Sequence, residues 1–315
     1  MNTKSKIYIA GHEGLVGSAI HRLLLKNNYE HIVTKDRSQL DLTNRPEVEQ
    51  FFYYYRPEYV FLAAAKVGGI QYNKNCPADF IRENLLIQSN VIDLAYQYGV
   101  KKLCFLGSAC IYPKLAEVPI KETSLLSGPL EETNEAYAIA KIAGYYLCKK
   151  YTEQYSFNTI SVMPTNLYGI NDNFRLKESH VIPALINKFL NAKNNNMPSV
   201  ECFGDGSATR EFLYADDLAE AIHFLMLHHN QPDIINVGTG IEISILELTN
   251  LIKNIIEYNG DIIWNTSYPN GTPRRVLDIS NITSLGWQPK VSLSDGLKTT
   301  IKWFLNNQNT SVIRV

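Results

Sequence analysis

Residues 7–17 are IYIAGHEGLVG, and they predict a buried strand, a glycine-rich turn and the start of a helix. The turn has the spacing G-x-x-G-x-x-G, with its glycines at Gly11, Gly14 and Gly17. Glycines there let the backbone approach a pyrophosphate, and the free N–H groups and dipole of the next helix, predicted over 18–26, favour an anion. The pattern predicts a dinucleotide-binding turn, with a purely structural tight turn as the alternative.

Strands and helices alternate through the first half of the chain. Apolar runs predict strands at 31–34, 59–65 and 102–106, and longer runs predict helices at 80–98 and 135–150. Strands that alternate with crossover helices are typical of an α/β fold with a doubly wound parallel sheet, the Rossmann architecture.

The chain changes character after Gly169. Helices are predicted at 181–193, 216–227, 244–257 and 293–305, with strands starting near 201 and at 234–237. We expect residues 1–168 to form a dinucleotide-binding domain to which elements near 212–240 return. Residues 169–315 are expected to form a smaller, interleaved substrate-binding domain.

Three side chains with proton chemistry follow the strand predicted at 102–106. Ser108 comes just after the strand, and Tyr137 and Lys141 lie four residues apart on the helix predicted over 135–150, so they share a helix face. A cation beside a phenol favours the phenolate and lowers its pKa, which suits proton exchange near neutral pH. Y-x-x-x-K also arises by chance in helices, so this pair gains meaning only from its neighbours.

Composition narrows the class of protein. The chain has 30 basic and 31 acidic residues, which gives no electrostatic case for nucleic acid or an anionic membrane surface. There is no apolar run of membrane-spanning or signal-peptide length. The five cysteines are widely spaced and odd in number, which argues against a disulfide framework or a metal site and for a reducing, cytoplasmic setting.

The end of the second predicted strand bears on the choice of nicotinamide cofactor. Lys35 and Arg37 favour the 2′-phosphate of NADP, whereas Asp36 and Glu13 argue the other way. Asp41 and Leu42 are candidate contacts for the adenine end of the cofactor.

Longer blocks carry a family resemblance. They are AAAKVGG at 63–69, SACIYPK at 108–114, PTNLYG at 164–169 and SHVIPAL at 179–185, together with the glycine turn, Ser108 and Y-x-x-x-K. In these blocks the chain resembles the extended short-chain dehydrogenase/reductase family. Within it, the chain is similar to the branch of 3,5-epimerase/4-reductases that act on GDP-4-keto-6-deoxy-D-mannose with NADPH. The resemblance runs nearly end to end and also implies a homodimer formed by the helices predicted at 80–98 and 135–150.

The resemblance assigns roles residue by residue. It implies that Tyr137 donates a proton to the 4-keto oxygen, that Lys141 holds the nicotinamide ribose and lowers the pKa of Tyr137, and that Ser108 hydrogen-bonds the same oxygen. Cys110 and His180 would be the epimerase acid/base pair. The implied cofactor contacts are Gly11, His12, Glu13, Gly14, Leu15, Val16, Gly17, Lys35, Arg37, Asp41, Leu42, Ala63, Ala65, Leu106, Gly107, Ser108, Ala109, Tyr137, Lys141, Pro164, Thr165, Asn166, Leu167 and His180. The candidate substrate contacts are Lys188, Phe203, Arg210, Asn270 and Arg274.

The family chemistry explains the pairing of a thiol with an imidazole. Protons at C3 and C5 both lie next to the C4 ketone, so one oxyanion site can serve both inversions and the final reduction. Each residue alone is more often structural: Cys110 as a small buried hydrophobe, His180 as an ordinary histidine.

Departures from the common pattern bear on the sugar. Lys188 stands where the family usually has an arginine, Phe203 where it has a tryptophan and Asn270 where it has an aspartate. Glu13 stands where an arginine often helps to hold NADP, and Ala109 where a second serine is common. These departures keep open a C4-reductase of a related GDP-4-keto-6-deoxy sugar, such as a heptose, without epimerase activity. A dehydratase fits less well because Ala109-Cys110 replaces its carboxylate pair. A non-catalytic dinucleotide-binding protein is a further alternative. It is disfavoured because such a protein would be free to lose Tyr137 or Lys141, and this chain has both.

Overall fold

A computed structural model describes residues 1–175, 179–268 and 272–308 of the chain. Its strands are β1 (Lys6–Ala10), β2 (His31–Lys35), β3 (Tyr59–Leu62), β4 (Lys102–Leu106), β5 (Thr159–Pro164), β6 (Asn166–Tyr168), β7 (Ser199–Phe203), β8 (Thr209–Tyr214), β9 (Ile234–Val237), β10 (Glu242–Ser244), β11 (Asp261–Asn265) and β12 (Arg274–Arg275). Its α-helices are α1 (Leu15–Lys26), α2 (Arg45–Tyr55), α3 (Ile70–Asn75), α4 (Pro77–Gln97), α5 (Glu135–Tyr155), α6 (Val181–Asn194), α7 (Ala215–His228), α8 (Ile245–Ile256), α9 (Ser280–Ser284) and α10 (Leu293–Asn307). The predicted substrate residue Asn270 lies outside the described residues.

Six parallel strands form the central sheet, in the spatial order β2-β1-β3-β4-β5-β9. After β2 the chain crosses back over β1 to form β3, so the winding direction reverses between β1 and β3. In an open α/β sheet such a reversal leaves a crevice beyond the carboxyl ends of the strands, where ligands bind. Gly11 and Ala63, which follow β1 and β3, lie at that crevice. The predicted doubly wound parallel sheet is confirmed.

Successive strand residues face two different layers of helices. In β1, Tyr8 belongs to the core formed with α2, α4 and α5, whereas Ile7 and Ile9 belong to the core formed with α1 and α7. The same alternation in β4 sends Phe105 to the first layer and Cys104 to the second. Because strand side chains alternate in direction, a sheet covered on both faces has continuous apolar strands.

A second core lies beyond the central sheet. Helices α6, α8 and α10 pack there with residues of β7 and β8, among them Phe189, Phe212 and Phe304. Strand β8 pairs with β6, β10 and β12, and β7 pairs with β11. The chain enters this region after β5 and returns to the central sheet at β9. The boundary at 168/169 stays a prediction.

Several element boundaries differ from those that the sequence predicts. Strand β3 ends at Leu62 instead of residue 65, because the ladder with β1 stops once the Ala63 N–H has bonded the Ala10 carbonyl at 3.0 Å. Helices α2 and α3 were not predicted. Helix α2 nevertheless carries a start signal, Asn44 at its N-cap followed by Pro46 in its first turn. Among the described helices, none combines the length and the apolar character that crossing a bilayer requires.

Candidate active site

The glycine turn after β1 leaves room for an anion at the start of α1. Gly11 has φ +83°, and a Cβ there would lie 2.7 Å from the Ala64 Cα. A Cβ on Gly17 would lie 2.0 Å from the Gly11 carbonyl oxygen. Gly14 is the N-cap of α1 and offers no side-chain cap, so the first N–H groups of the helix are free to meet a phosphate. These observations fit a dinucleotide pyrophosphate at this turn.

Other predicted cofactor residues line the same edge of the sheet. Leu106 ends β4 and Gly107 to Ala109 follow it, Pro164 ends β5, Thr165 links it to Asn166 and Leu167 of β6, and Ala63 and Ala65 follow β3. Within the turn, the buried Nδ1 of His12 has no hydrogen-bond partner among the described residues. Such an orphaned polar atom fits a ligand at this edge.

Residues predicted for the adenine end are farther along the same edge and are partly engaged with the protein. Arg37 is 73% exposed and its guanidinium lies 3.3 Å from Glu83. Lys35 places its Nζ 5.4 Å from the Tyr55 ring. The Asp36 carboxylate accepts N–H groups of Ser38 and Gln39 in its own turn. Asp41 accepts the Thr43 N–H at 2.9 Å, and Leu42 is buried in the core.

A small cavity brings together the residues predicted for catalysis. It has a volume of about 110 Å³ and is lined by Val67, Gly68, Asn73, Ser108, Tyr137 and His180. Ser108 stands after β4, Tyr137 lies in the first turn of α5, and His180 is the N-cap of α6. Three elements distant in sequence thus direct a hydroxyl, a phenol and an imidazole to one space.

Lys141 lies one turn beyond Tyr137 and is held from below. It is 3% exposed, and its Nζ donates to the Leu106 carbonyl at 2.7 Å. The same Nζ lies 5.7 Å from the centroid of the Tyr137 ring. The ammonium is therefore close to the phenol, within the space between β4 and α5.

The pKa values of this pair differ from the expectation. Burial raises the pKa of Tyr137 above its ordinary value, and burial lowers the pKa of Lys141 to about 8. The sequence predicts a lowered phenol pKa, whereas the net shift in the folded protein is upward because burial is its largest cause. Loss of hydration disfavours both the phenolate and the ammonium here, and the Lys141 Nζ is bonded to a carbonyl instead of the phenol. Tyr137 is thus a protonated donor at neutral pH.

Cys110 lies beside the cavity wall. Its N–H donates to the Ser108 Oγ at 3.3 Å, and the residue is 8% exposed. Burial raises the pKa of its thiol, and the Ser108 hydroxyl and nearby Arg275 and Lys141 partly offset this effect. Among the described residues, Cys110 is not part of the cavity lining itself.

His180 faces the cavity from its open side. The residue is exposed to the cleft, yet the protein that surrounds the ring removes enough bulk water to lower its pKa. At neutral pH the site therefore holds a protonated thiol and a neutral imidazole.

Two arginines approach this site from β8 and β12. Arg275 donates to the carbonyls of Ala109 and Tyr112, at 2.9 and 3.4 Å, and so lies against the segment that carries Cys110. Arg210 is its register partner in the adjacent strand. Arg274, the predicted substrate contact, is directed elsewhere: its guanidinium makes a bidentate pair with Glu242, with N–O distances of 2.6 to 2.9 Å.

Lys188 and Phe203, also predicted as substrate contacts, lie together. The Lys188 Nζ is 4.2 Å from the Phe203 ring centroid and donates to the Glu201 carbonyl at 2.9 Å. Phe203 is 53% exposed and stacks on Tyr268 with the ring centroids 4.0 Å apart. The result is an open aromatic platform with a cation on it.

Sequence reasoning missed Asn73, Arg275 and Tyr268. For Arg275 the signal is its place next to Arg274: adjacent strand residues face opposite sides, so only one of the two can face the site, and alternation does not say which. Tyr268 directly precedes the segment 269–271 that drew attention to Asn270. Asn73 has no signal beyond its place in a polar stretch between Gly69 and Pro77.

Comparisons with known proteins agree with this site. Residues 7–238 match the family described as NAD dependent epimerase/dehydratase family. The chain is 53% identical over 308 residues to GDP-L-fucose synthase 1 of Arabidopsis thaliana, covering 98% of this chain and 95% of that protein.

Two solved structures show the same fold over nearly the whole chain. A GDP-L-fucose synthetase from Naegleria fowleri bound to NADP has a TM-score of 0.93 and 29% identity, covering 100% of this chain and 98% of that one. A GDP-6-OMe-4-keto-L-xylo-heptose reductase from C. jejuni has a TM-score of 0.93 and 39% identity, covering 98% and 99%. The chain therefore belongs to the NAD dependent epimerase/dehydratase family, and its resemblance to the epimerase/reductase branch of the extended short-chain dehydrogenase/reductases, the GDP-L-fucose synthases, is confirmed.

Proposed function

We propose that this protein converts GDP-4-keto-6-deoxy-D-mannose to GDP-L-fucose by 3,5-epimerisation followed by NADPH-dependent reduction at C4. The observation that carries the proposal is the convergence of Ser108, Tyr137 and His180 on one cavity. The Cys110 N–H is bonded to Ser108, and the Lys141 Nζ lies 5.7 Å from the centroid of the Tyr137 ring. A hydroxyl and a protonated phenol at one point suit a carbonyl oxygen that must accept a proton.

The reduction uses the phenol as its acid. The 4-keto oxygen lies between the Ser108 hydroxyl and the Tyr137 phenol, and Tyr137 transfers its proton as the C4 oxygen gains charge. When bound, the nicotinamide supplies the hydride. Because burial raises the pKa of Tyr137, the donor form persists throughout the neutral range. The nearby Lys141 ammonium then stabilises the phenolate that the transfer leaves behind.

The epimerisations use the same oxygen. Removal of a proton from C3 or C5 gives an enolate whose charge falls on the oxygen held by Ser108 and Tyr137. Cys110 and His180 exchange the carbon-bound protons, starting from a protonated thiol and a neutral imidazole. Reduction comes last because it removes the ketone that acidifies those protons.

The preference for NADPH rests on Arg37 and Lys35. Arg37 is the most open cation at the end of β2 and can turn towards a 2′-phosphate. Asp36 does not compete, since its carboxylate is held by N–H groups of its own turn. The NADP-bound structural relative supports the same preference.

The GDP part of the substrate has two groups that need partners. Arg210 and Arg275 suit the diphosphate, since each guanidinium lacks a carboxylate partner among the described residues. Phe203 and Tyr268, with Lys188, suit the flat guanine ring. Asn270 and Arg274 stay predicted contacts.

A homodimer through α4 and α5 is part of the proposal. These helices pack against each other and leave apolar side chains exposed, including Leu85, Ile139 and Tyr146 at 37%, 42% and 37%. Pairing with a second copy would cover them.

The cysteines are all free thiols, which favours the cytoplasm as the working compartment.

The activity is tested by mixing the purified protein with NADPH and GDP-4-keto-6-deoxymannose in deuterated water. We expect loss of the reduced-nicotinamide absorbance and a GDP-L-fucose product labelled at C3 and C5. Tyr137→Phe should stop hydride transfer while NADPH still binds. Cys110→Ser should suppress the labelling more than it suppresses reduction of a ketone that already has the product configuration.

Two outcomes would contradict the proposal in different ways. If no NADPH is oxidised, the substrate assignment fails. If NADPH is oxidised and the product carries no label, the protein is a C4-reductase, and a GDP-4-keto-6-deoxy heptose becomes the substrate to test. The likeness to the C. jejuni heptose reductase is the observation that favours this second candidate.

A further inference from the structure

Asn73 shares the cavity of Ser108, Tyr137 and His180, and the chemistry described above does not use it. It lies in α3, in the segment that leaves β3 and passes over the cavity. The residue is 8% exposed. A polar side chain so nearly buried beside reacting groups needs a hydrogen-bonding explanation.

The NH₂ group of the Asn73 side chain is bonded within its own loop. The Nδ2 donates to the Gly68 carbonyl at 2.7 Å and to the Gly69 carbonyl at 3.1 Å. Both amide hydrogens are therefore committed to acceptors. The amide cannot be turned over, because that would set its oxygen against two carbonyl oxygens.

The oxygen of the same amide has no partner among the described residues. The Asn73 Oδ1 is buried and accepts no hydrogen bond from any described residue. An acceptor that is shielded from water and left unpaired destabilises the protein unless a ligand supplies the donor. The fixed orientation of the amide makes this oxygen a built acceptor on a residue that lines the cavity.

We infer that Asn73 is a specificity-determining residue whose Oδ1 accepts a hydrogen bond from the C3 hydroxyl of the sugar. This inference rests on the proposed function. Ser108 and Tyr137 mark the position of the C4 oxygen, and a cavity of about 110 Å³ holds only that carbonyl and its immediate neighbours. In a 4-keto-6-deoxy sugar, C5 carries a methyl group, which has no donor. The hydroxyl at C3 is therefore the donor next to the carbonyl.

The contact gives the site a means of recognising sugars that carry this hydroxyl. A site built to bond a substrate hydroxyl discriminates against an analogue that lacks it, because the buried acceptor is then left unpaired. Asn73 would thus separate 4-keto-6-deoxy sugars from their 3-deoxy counterparts.

The test is a cycle of enzyme variant against substrate variant. NADPH oxidation is followed with GDP-4-keto-6-deoxymannose and with the same sugar lacking the C3 hydroxyl, and the ratio of the two kcat/KM values is compared between variants. We expect Asn73→Ala to lower this ratio about tenfold to a hundredfold, as loss of one hydrogen bond to a buried group implies. Asn73→Asp is not a conservative variant here, because its second oxygen would face the Gly68 and Gly69 carbonyls.

Ser108→Ala is the matched control, since Ser108 meets the carbonyl common to both sugars and its loss should leave the ratio unchanged. An equal fall with both sugars in Asn73→Ala would overturn the inference and point to the loop or to the nicotinamide amide as the partner. If Asn73→Ala fails to fold, the wild type decides: kcat/KM values that are equal for the two sugars would overturn the inference. A wild-type protein that turns over neither sugar contradicts the proposed function, not the role of Asn73 alone.

Discussion

Arg275 lies directly opposite Arg210, as its register partner in the parallel pair of β12 and β8. Both arginines are half-buried, and among residues 1–175, 179–268 and 272–308 neither has a carboxylate within 4 Å. Burial lowers the pKa of each guanidinium, and for Arg210 the charge of Arg275 adds to the effect. Two neighbouring guanidinium groups that have no carboxylate partner among these residues indicate a binding site for an anion.

The first prediction concerns this pair and uses its neighbour as the control. Arg275→Met should raise the KM for the GDP-sugar about tenfold or more with a smaller change in kcat, because a charge-assisted contact to the diphosphate is lost. Arg274→Met removes an equal charge one residue away, where the guanidinium is already satisfied by Glu242. Steady-state kinetics at several ionic strengths should show the larger effect in Arg275→Met. Equal effects of the two variants would mean that only the local charge matters.

The two arginines also show how far the sequence reaches. The strand, turn and helix at 7–17 and the block around Ser108 are local patterns, so the fold class and the candidate site could be predicted from them. The sequence could not choose between Arg274 and Arg275, because the choice depends on which face of a two-residue strand meets β8. Asn73 could not be predicted at all, since its role arises from two glycine carbonyls that capture one end of its amide.

The pKa of Tyr137 is a second case in which local reasoning was insufficient. A lysine four residues away predicts a lowered phenol pKa. The direction in the folded protein depends first on how much water the surrounding protein removes from the phenol, and then on the neighbouring Cys110. Both effects arise from the tertiary structure.

The second prediction follows from the pKa of Lys141, which burial lowers to about 8. The ammonium is the main form at pH 7 and is lost as the pH rises through 8. Single-turnover hydride transfer should therefore slow above about pH 8. Tyr137 and Cys110 do not account for this fall in rate with rising pH, because burial raises the pKa of both groups above their ordinary values. Lys141→Arg, which stays protonated, should transfer hydride more slowly than the wild type, and its rate should not fall as the pH rises through this range.

Unfolding provides a check that does not depend on turnover. The pKa of Lys141 is lower in the folded protein than its ordinary value of 10.5, so between these values the unfolded chain binds more protons. The contribution of Lys141 to stability should therefore increase from pH 8 towards pH 10.5. Urea unfolding of the wild type and of Lys141→Met across this range should show a difference that changes in that direction. A difference independent of pH would contradict the lowered pKa.

The third prediction concerns Glu211, a fully buried carboxylate in the middle of β8. Its Oε1 accepts the N–H groups of Thr239 and Gly240 at 2.6 and 2.8 Å, and its Oε2 accepts the Leu277 N–H at 2.9 Å. One side chain thus fastens the loop after β9 and the segment after β12 to the strand that carries Arg210. Glu211→Ala would remove the acceptor of three backbone N–H groups, of which that of Leu277 is buried, and we expect it to lower the free energy of unfolding by about 3 kcal/mol.

The control for Glu211 is its register partner across the β10/β8 pair, Glu242. Glu242 forms a surface ion pair with Arg274, so Glu242→Ala should change the free energy of unfolding much less. Glu211→Gln should also be destabilised, since its NH₂ group would face backbone donors in place of one oxygen. Denaturant titrations of the three variants measure these differences. If Glu211→Gln were as stable as the wild type, the two carboxylate oxygens would not both be required, and the loops must be held by other contacts.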